Sequence, residues 1–169
     1  MPGSPTDAQP PGVHPVAVAP VDYLWFVDLA LGGMARMVED LGDELANRRP
    51  SFPEANTPYA ILTHCLGVME FWGGATVAGR SIERDRAAEF TASGPVGPLL
   101  ERAAEAQQRL ADDLVGLDAW SEPANVGRNP SDPVPYDETK GAVLLHILEE
   151  LFQHLGHMEI TRDALRVRP

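Results

Sequence analysis

The chain has 169 residues, 44% of them apolar, and a formal net charge of −12. That length supports one domain with a real core. The acid surplus excludes the Lys/Arg excess that phosphate-neutralising nucleic-acid binders need. No apolar run approaches the roughly 20 residues of a membrane span, and the N-terminus lacks the basic-then-apolar order of a secretory signal. The single cysteine, Cys65, excludes an internal disulfide framework. These features predict a soluble, cytoplasmic protein.

The first twenty residues, MPGSPTDAQPPGVHPVAVAP, are rich in proline and small residues and show no periodicity. They read as a flexible N-terminal arm, with His14 solvated, ahead of one domain over residues 21–169. The first helix is expected from Val21. Leu24, Val27, Leu31, Met34, Val38 and Leu41 recur at steps of three and four, Asp22 sits in the first turn, and Arg48, Arg49 and Pro50 close the element. The second helix opens at Thr57-Pro58, a cap followed by proline at the first helical position. It runs through YAILTHCLGVMEFWGGATVAG, with Gly73 and Gly74 weakening its last turns.

A polar stretch containing SIERDRAAE follows and reads as a solvated charged face, from which one of Arg80, Arg84 or Arg86 could meet an anionic group. Ser93-Gly94-Pro95 announces a third helix with Leu99, Ala103, Ala106, Leu110, Leu114 and Leu117 buried. Residues 118–137 hold four prolines and no period, which makes a long connection. The fourth helix is expected from about Asp137 to Leu165. No period-two alternation lasts long enough for a strand. Four amphipathic helices with long connections predict an all-α four-helix bundle.

The histidines carry the chemistry. On the last helix, at about 100° per residue from His146, the apolar residues fill an arc from about 60° to about 180°. His154 falls inside that arc, at about 80°, and Glu150 on its border, at about 40°. His157 lies further toward solvent, at about 20°, beside the His146 origin. Glu150 and His154 are four apart and share a face, so they can grip one divalent ion. Such pairs are common on exposed helices, and most bind nothing. On the second helix His64 lies inside an apolar stripe with Ile61, Val68 and Trp72, so it should be buried and need a partner. That partner is either a carbonyl, hydroxyl or water, or a metal shared with Glu150 and His154. Three N/O ligands leave a coordination position open, as in catalytic zinc sites. Nickel, iron or manganese would also suit the donor set.

An early-helix histidine with a last-helix Glu-x-x-x-His-x-x-His, here THCLGVMEFW and ETKGAVLLHILEELFQHLGHMEITRDAL, resembles the DinB-like superfamily. The resemblance runs from about residue 20 onward. It is nearest to the actinobacterial members, including the N-terminal domain of mycothiol-dependent maleylpyruvate isomerase and the mycothiol or bacillithiol S-transferases. It implies a four-helix bundle holding a divalent metal through three side chains, three histidines in many members and His, Glu, His in the isomerase type. The matching positions are His64, Glu150 and His154; His157 falls one turn beyond. The resemblance also implies a low-molecular-weight thiol such as mycothiol, activated at the metal to attack an electrophilic small molecule. The isomerase's additional C-terminal domain is not expected here, so isomerase activity is not implied.

Beside this thiol S-transferase reading stand two others. One is a non-catalytic metal-binding or stress-response bundle module. The other is a dimerisation module in which helices one and two pair as a homodimer. Cys65, about 100° from His64, reads as a small buried hydrophobe. His146 reads as solvated or capping, with a place at the rim or behind the metal ligands as its alternative, and Glu149 as surface. Trp25, Phe26, Phe71, Trp72 and Phe152 read as core, some of them lining the metal mouth.

Overall fold

The structure, a computed structural model, describes residues 17–124 and 138–166. The expected arm, including His14, lies outside these residues up to position 16, as does most of the proline-rich connection, from 125 to 137. Among the described residues there are helices and no strand: α1 (Pro20–Ala46), α2 (Pro58–Val68) continuing without a break as a π-helical segment (Met69–Val77), α3 (Arg86–Glu89), α4 (Val96–Asp113) and α5 (Lys140–Arg166). The all-α bundle expected from the sequence is the fold. No helix of the described residues is long and apolar enough to cross a membrane.

Local chemistry sets the helix ends. Pro20 opens α1, with Asp22 in its first turn. Gly42 interrupts the regular helix with φ +63°, a conformation that glycine adopts without Cβ strain, so α1 is broken four residues before its end. Thr57 caps α2 as expected, its hydroxyl accepting from the Ala60 N–H at 3.0 Å. The hydroxyl of Thr139 accepts from the Ala142 N–H in the same way at the start of α5. The N-terminus of α4 is capped by another helix: Asp43 Oδ1 accepts from the Val96 N–H at 2.8 Å, while Asn47 exchanges hydrogen bonds with both backbone groups of Gly94.

The weak point expected at Gly73-Gly74 takes a definite form, because the helix passes into π geometry there. A Cβ on Gly73 would sit 3.0 Å from Leu110, and one on Gly74 would collide with Ile82. Both glycines therefore admit close neighbours, on α4 and on the segment that follows α2.

Contacts fix the directions of the helices. The Tyr23 hydroxyl donates to the Leu144 carbonyl, and Gly33 lies against Leu155, so α1 and α5 run parallel. Gln107 meets Asp28 and Val96 meets Asp43, so α4 runs antiparallel to α1. Arg102 pairs with Glu70, and Leu110 lies against Gly73, so α4 runs parallel to α2. Around the ring α1 and α2 sit diagonally, each flanked by α4 and α5, and they touch through the core, where Cys65 Sγ lies 3.7 Å from Met34 Sδ. Val27, Leu31, Met34, Val38, Ile61, Leu62, Leu66, Ile147, Leu151 and Met158 are sealed inside. Burying such side chains is the main favourable term in folding, at about 1.5–3 kcal/mol each.

Because α2 and α4 are parallel neighbours, residues 78–95 must return along the bundle before α4 can begin. The short α3 rides on this crossover and is laid against α2.

Candidate metal centre

His64 is presented by α2 and is 2% exposed; Glu150 and His154 come from the facing stretch of α5. Nε2 of His64 lies 3.5 Å from Oε2 of Glu150, and Nε2 of His154 lies 3.4 Å from the same oxygen. The two imidazoles meet edge to face at 4.6 Å, and one ligand atom from each of the three residues lies within 4.8 Å of the others. The structure thus brings together the three side chains singled out in the sequence. Donors bound at about 2.0–2.1 Å to four-coordinate zinc stand about 3.4 Å apart at the tetrahedral angle, close to the two His–Glu separations. The donor set and its spacing fit a divalent cation. His64 is enclosed, whereas the side chains of Glu150 and His154 are 26% and 20% exposed, so the cluster opens toward solvent on its α5 side.

The carboxyl of Glu150 is held far below its ordinary range by its contacts with the imidazoles of His154 and His64, against the opposing effect of burial. It is a carboxylate at any physiological pH. His157 packs 5.9 Å from His154, and burial first, then the charge of His154, pulls its pKa below the usual histidine value. It sits at the rim, one turn beyond Glu150 and His154, half-buried and touching His154.

The partner of His64 was not visible in the sequence. Nδ1 of His64 lies 2.8 Å from Oε2 of Glu89, the last residue of α3, which is itself buried. Arg84 grips both oxygens of Glu89, Nε to Oε1 at 2.7 Å and Nη2 to Oε2 at 2.9 Å. Burial alone would raise the Glu89 pKa, but hydrogen bonds from Arg84 and His64 prevail and lower it. The stretch read as a solvated charged face therefore sends Arg84 and Glu89 inward. Its pattern is set by the crossover rather than by any helical period, which is why charge density alone misplaced it. Arg80 pairs with Asp113, and Arg86 lies over the Phe90 ring.

His146 is not the solvated residue first expected, and takes instead its alternative place beside the cluster. It is 7% exposed, packs edge-on against Trp72 at 5.1 Å, and places Nδ1 3.2 Å from Glu149 and Nε2 3.8 Å from Oε1 of Glu150. Trp72, reaching across from the π segment, covers a position that one helix viewed alone leaves at the solvent edge.

The aromatic residues divide into two groups. Phe90 stacks on His64 at 4.8 Å, Phe71 lies under the Arg84 guanidinium, and Trp72 covers His146, so these three surround the cluster. Trp25, Phe26 and Phe152, expected in the core, are 59%, 44% and 38% exposed and form their own group between α1 and α5. On α5, Phe152 lies about 160–200° around the helix from His154 and Glu150.

Cys65 is fully buried, and burial, followed by the nearby carboxylates of Glu150 and Glu89, pushes its thiol pKa far up. It is the small buried hydrophobe the sequence suggested. A cleft of about 280 Å³ lies on the outer side of Glu89, lined by Thr63, Gly67, Glu70, Arg84 and Arg102 among others. None of the three clustered side chains lines it, so it is separate from the point where they converge.

Fold and site together define a helical bundle with a His–Glu–His cluster held between two antiparallel helices. Residues 22–166 match the family model described as MST, mycothiol-S-transferase. The chain belongs to this DinB-like family. No curated protein and no solved structure matches the chain.

Proposed function

We propose that the protein is a divalent-metal-dependent thiol S-transferase of the cytoplasm, with His64, Glu150 and His154 as metal ligands and zinc as the first candidate. The observation that carries the reading is the approach of two imidazole nitrogens to one carboxylate oxygen, at 3.5 and 3.4 Å. Family membership supports a mycothiol-type thiol as co-substrate.

A divalent cation held by His64, Glu150 and His154 would supply the positive charge that lowers the pKa of a thiol in a position beside it, so that thiolate would be available at neutral pH. The chain's own residues prepare that position. Glu150 brings one negative charge to offset part of the cation's. Phe90 and Trp72 screen the inner side from water. The more exposed α5 side is where a small electrophile would approach. In the overall reaction the thiol sulfur forms a bond to an electrophilic carbon, the leaving group departs with its electron pair, and the thiol proton passes to solvent.

The test uses protein purified without a histidine tag, assayed for bound metal and for consumption of mycothiol with an alkyl halide. About one metal per chain, and turnover that needs both metal and thiol, support the proposal. Turnover with metal and water but no thiol points to a hydrolase. Bound metal with no turnover of either kind points to a non-catalytic metal-binding module, and absence of metal removes the reading.

A further inference from the structure

The crossover that connects two parallel helices ends in a carboxylate placed behind the most deeply buried member of the cluster. Glu89 receives two hydrogen bonds from Arg84 and so is ionised, and an ionised carboxylate can only accept. The 2.8 Å contact with His64 therefore requires the proton on Nδ1. In a neutral ring this leaves the lone pair on Nε2, the atom that faces Glu150. Arg84 Nη2 also approaches Nδ1, at 3.4 Å, but offers only N–H groups, so Glu89 is the acceptor.

The space for this arrangement is made by Gly67. A Cβ at that position would collide with the Glu89 carboxylate. Gly67 lies three residues from His64, on the flank of α2 that α3 covers. Glycine inside a helix costs about 1 kcal/mol relative to alanine, so a close approach there needs a reason, and the carboxylate supplies one.

We propose that Glu89, held by Arg84 and admitted by Gly67, is a positioning residue that fixes the tautomer and orientation of His64 so that Nε2 serves as a metal ligand. This rests on the metal reading above and assigns a role to the crossover, which that reading does not require. Outer partners of this kind typically change metal affinity by about 10–100-fold.

The experiment uses the untagged full-length chain, stripped of metal and labelled with ¹⁵N. A long-range ¹H–¹⁵N spectrum of the histidine rings, recorded at a pH high enough for the rings to be neutral, reads the His64 tautomer without metal or turnover. Competition with a chromophoric chelator reads zinc affinity. The variants are Glu89→Ala, Glu89→Gln and Gly67→Ala, with Glu70→Gln, which breaks the separate pair with Arg102, as control. The expected wild-type ring is protonated at Nδ1. Glu89→Ala and Gly67→Ala should weaken zinc binding by about 10–100-fold and lose the single tautomer. Glu89→Gln, whose amide oxygen still accepts, should fall between them and wild type. Glu70→Gln should stay within about two-fold of wild type, because partly exposed pairs contribute little.

A wild-type ring protonated at Nε2 overturns the assignment, as does wild-type affinity in Glu89→Ala. Should Glu89→Ala fail to fold, the wild-type tautomer and the near-isosteric Glu89→Gln decide. A wild-type chain that takes up no zinc overturns the metal reading as well. A wild-type chain that binds zinc, with the Glu89 variants unchanged, overturns the positioning role alone.

Discussion

Nε2 of His64 and Oε2 of Glu150 face each other at 3.5 Å although 86 residues separate them in the chain. The distance exceeds the 2.7–3.2 Å of a good direct N–H···O bond and suits two atoms sharing a cation. Zinc added at about 100 times its dissociation constant should stabilise the wild-type chain by about 2.7 kcal/mol, seen as a rise in melting temperature that EDTA reverses. In His64→Ala and His154→Ala that rise should be largely lost. Equal metal-induced shifts in all three proteins would place the ion elsewhere.

Two depressed carboxyls set the acid response of the metal-free chain. Glu89 and Glu150 both have pKa values below the ordinary 4.5 in the folded protein. The unfolded chain therefore binds protons first as pH falls. Their contribution is fully present above the unfolded value and is lost progressively below it. Glu89→Gln removes one of the two titrations, so its melting temperature should fall less steeply below about pH 4.5 than that of the wild type. Parallel curves for the two proteins would contradict the ion-pair geometry around Glu89.

The exposed aromatic group separates periodicity from burial. Leu31 is 1% exposed and Trp25 is 59% exposed, on the same helix. Leu31→Ala should destabilise by about 2–5 kcal/mol through lost burial and a cavity. Trp25→Ser should cost under about 1 kcal/mol despite its larger change in side chain. Urea denaturation of the two variants checks both values. A Trp25 cost as large as that of Leu31 would mean that another surface covers it in solution.

Cys65 offers a probe of global opening. With no exposed surface and a thiol kept protonated by burial, it should react with a disulfide reagent only through unfolding. In native buffer its labelling rate should follow stability, slowed by added zinc and accelerated in Leu31→Ala. Rapid stoichiometric labelling of the native chain would show that the α1–α2 contact opens locally.

The bundle was largely legible in the sequence because its signals are local. The three- and four-residue spacing in α1, the Thr57-Pro58 start of α2 and the Leu99–Leu110 stripe of α4 each depend on neighbours within one or two turns. Helical geometry converts such patterns directly into faces. His64 stood out for the same reason, as an imidazole within an apolar stripe, and Glu150 and His154 stood out as a pair one turn apart. The match of all three to a family pattern came from resemblance, not from spacing.

What lay beyond the sequence depends on which helices become neighbours. Glu89 reaches His64 because the parallel arrangement of α2 and α4 forces the chain back along the bundle, and no local pattern encodes that return. His146 is buried because Trp72 of the π segment covers it, while Trp25, Phe26 and Phe152 stay exposed because no described element packs over the outer side of α1 and α5. The amino-acid order determined the helices and the chemistry each could offer. Only the packing decided which polar groups left water, since burial belongs to the assembled surface and not to the residue.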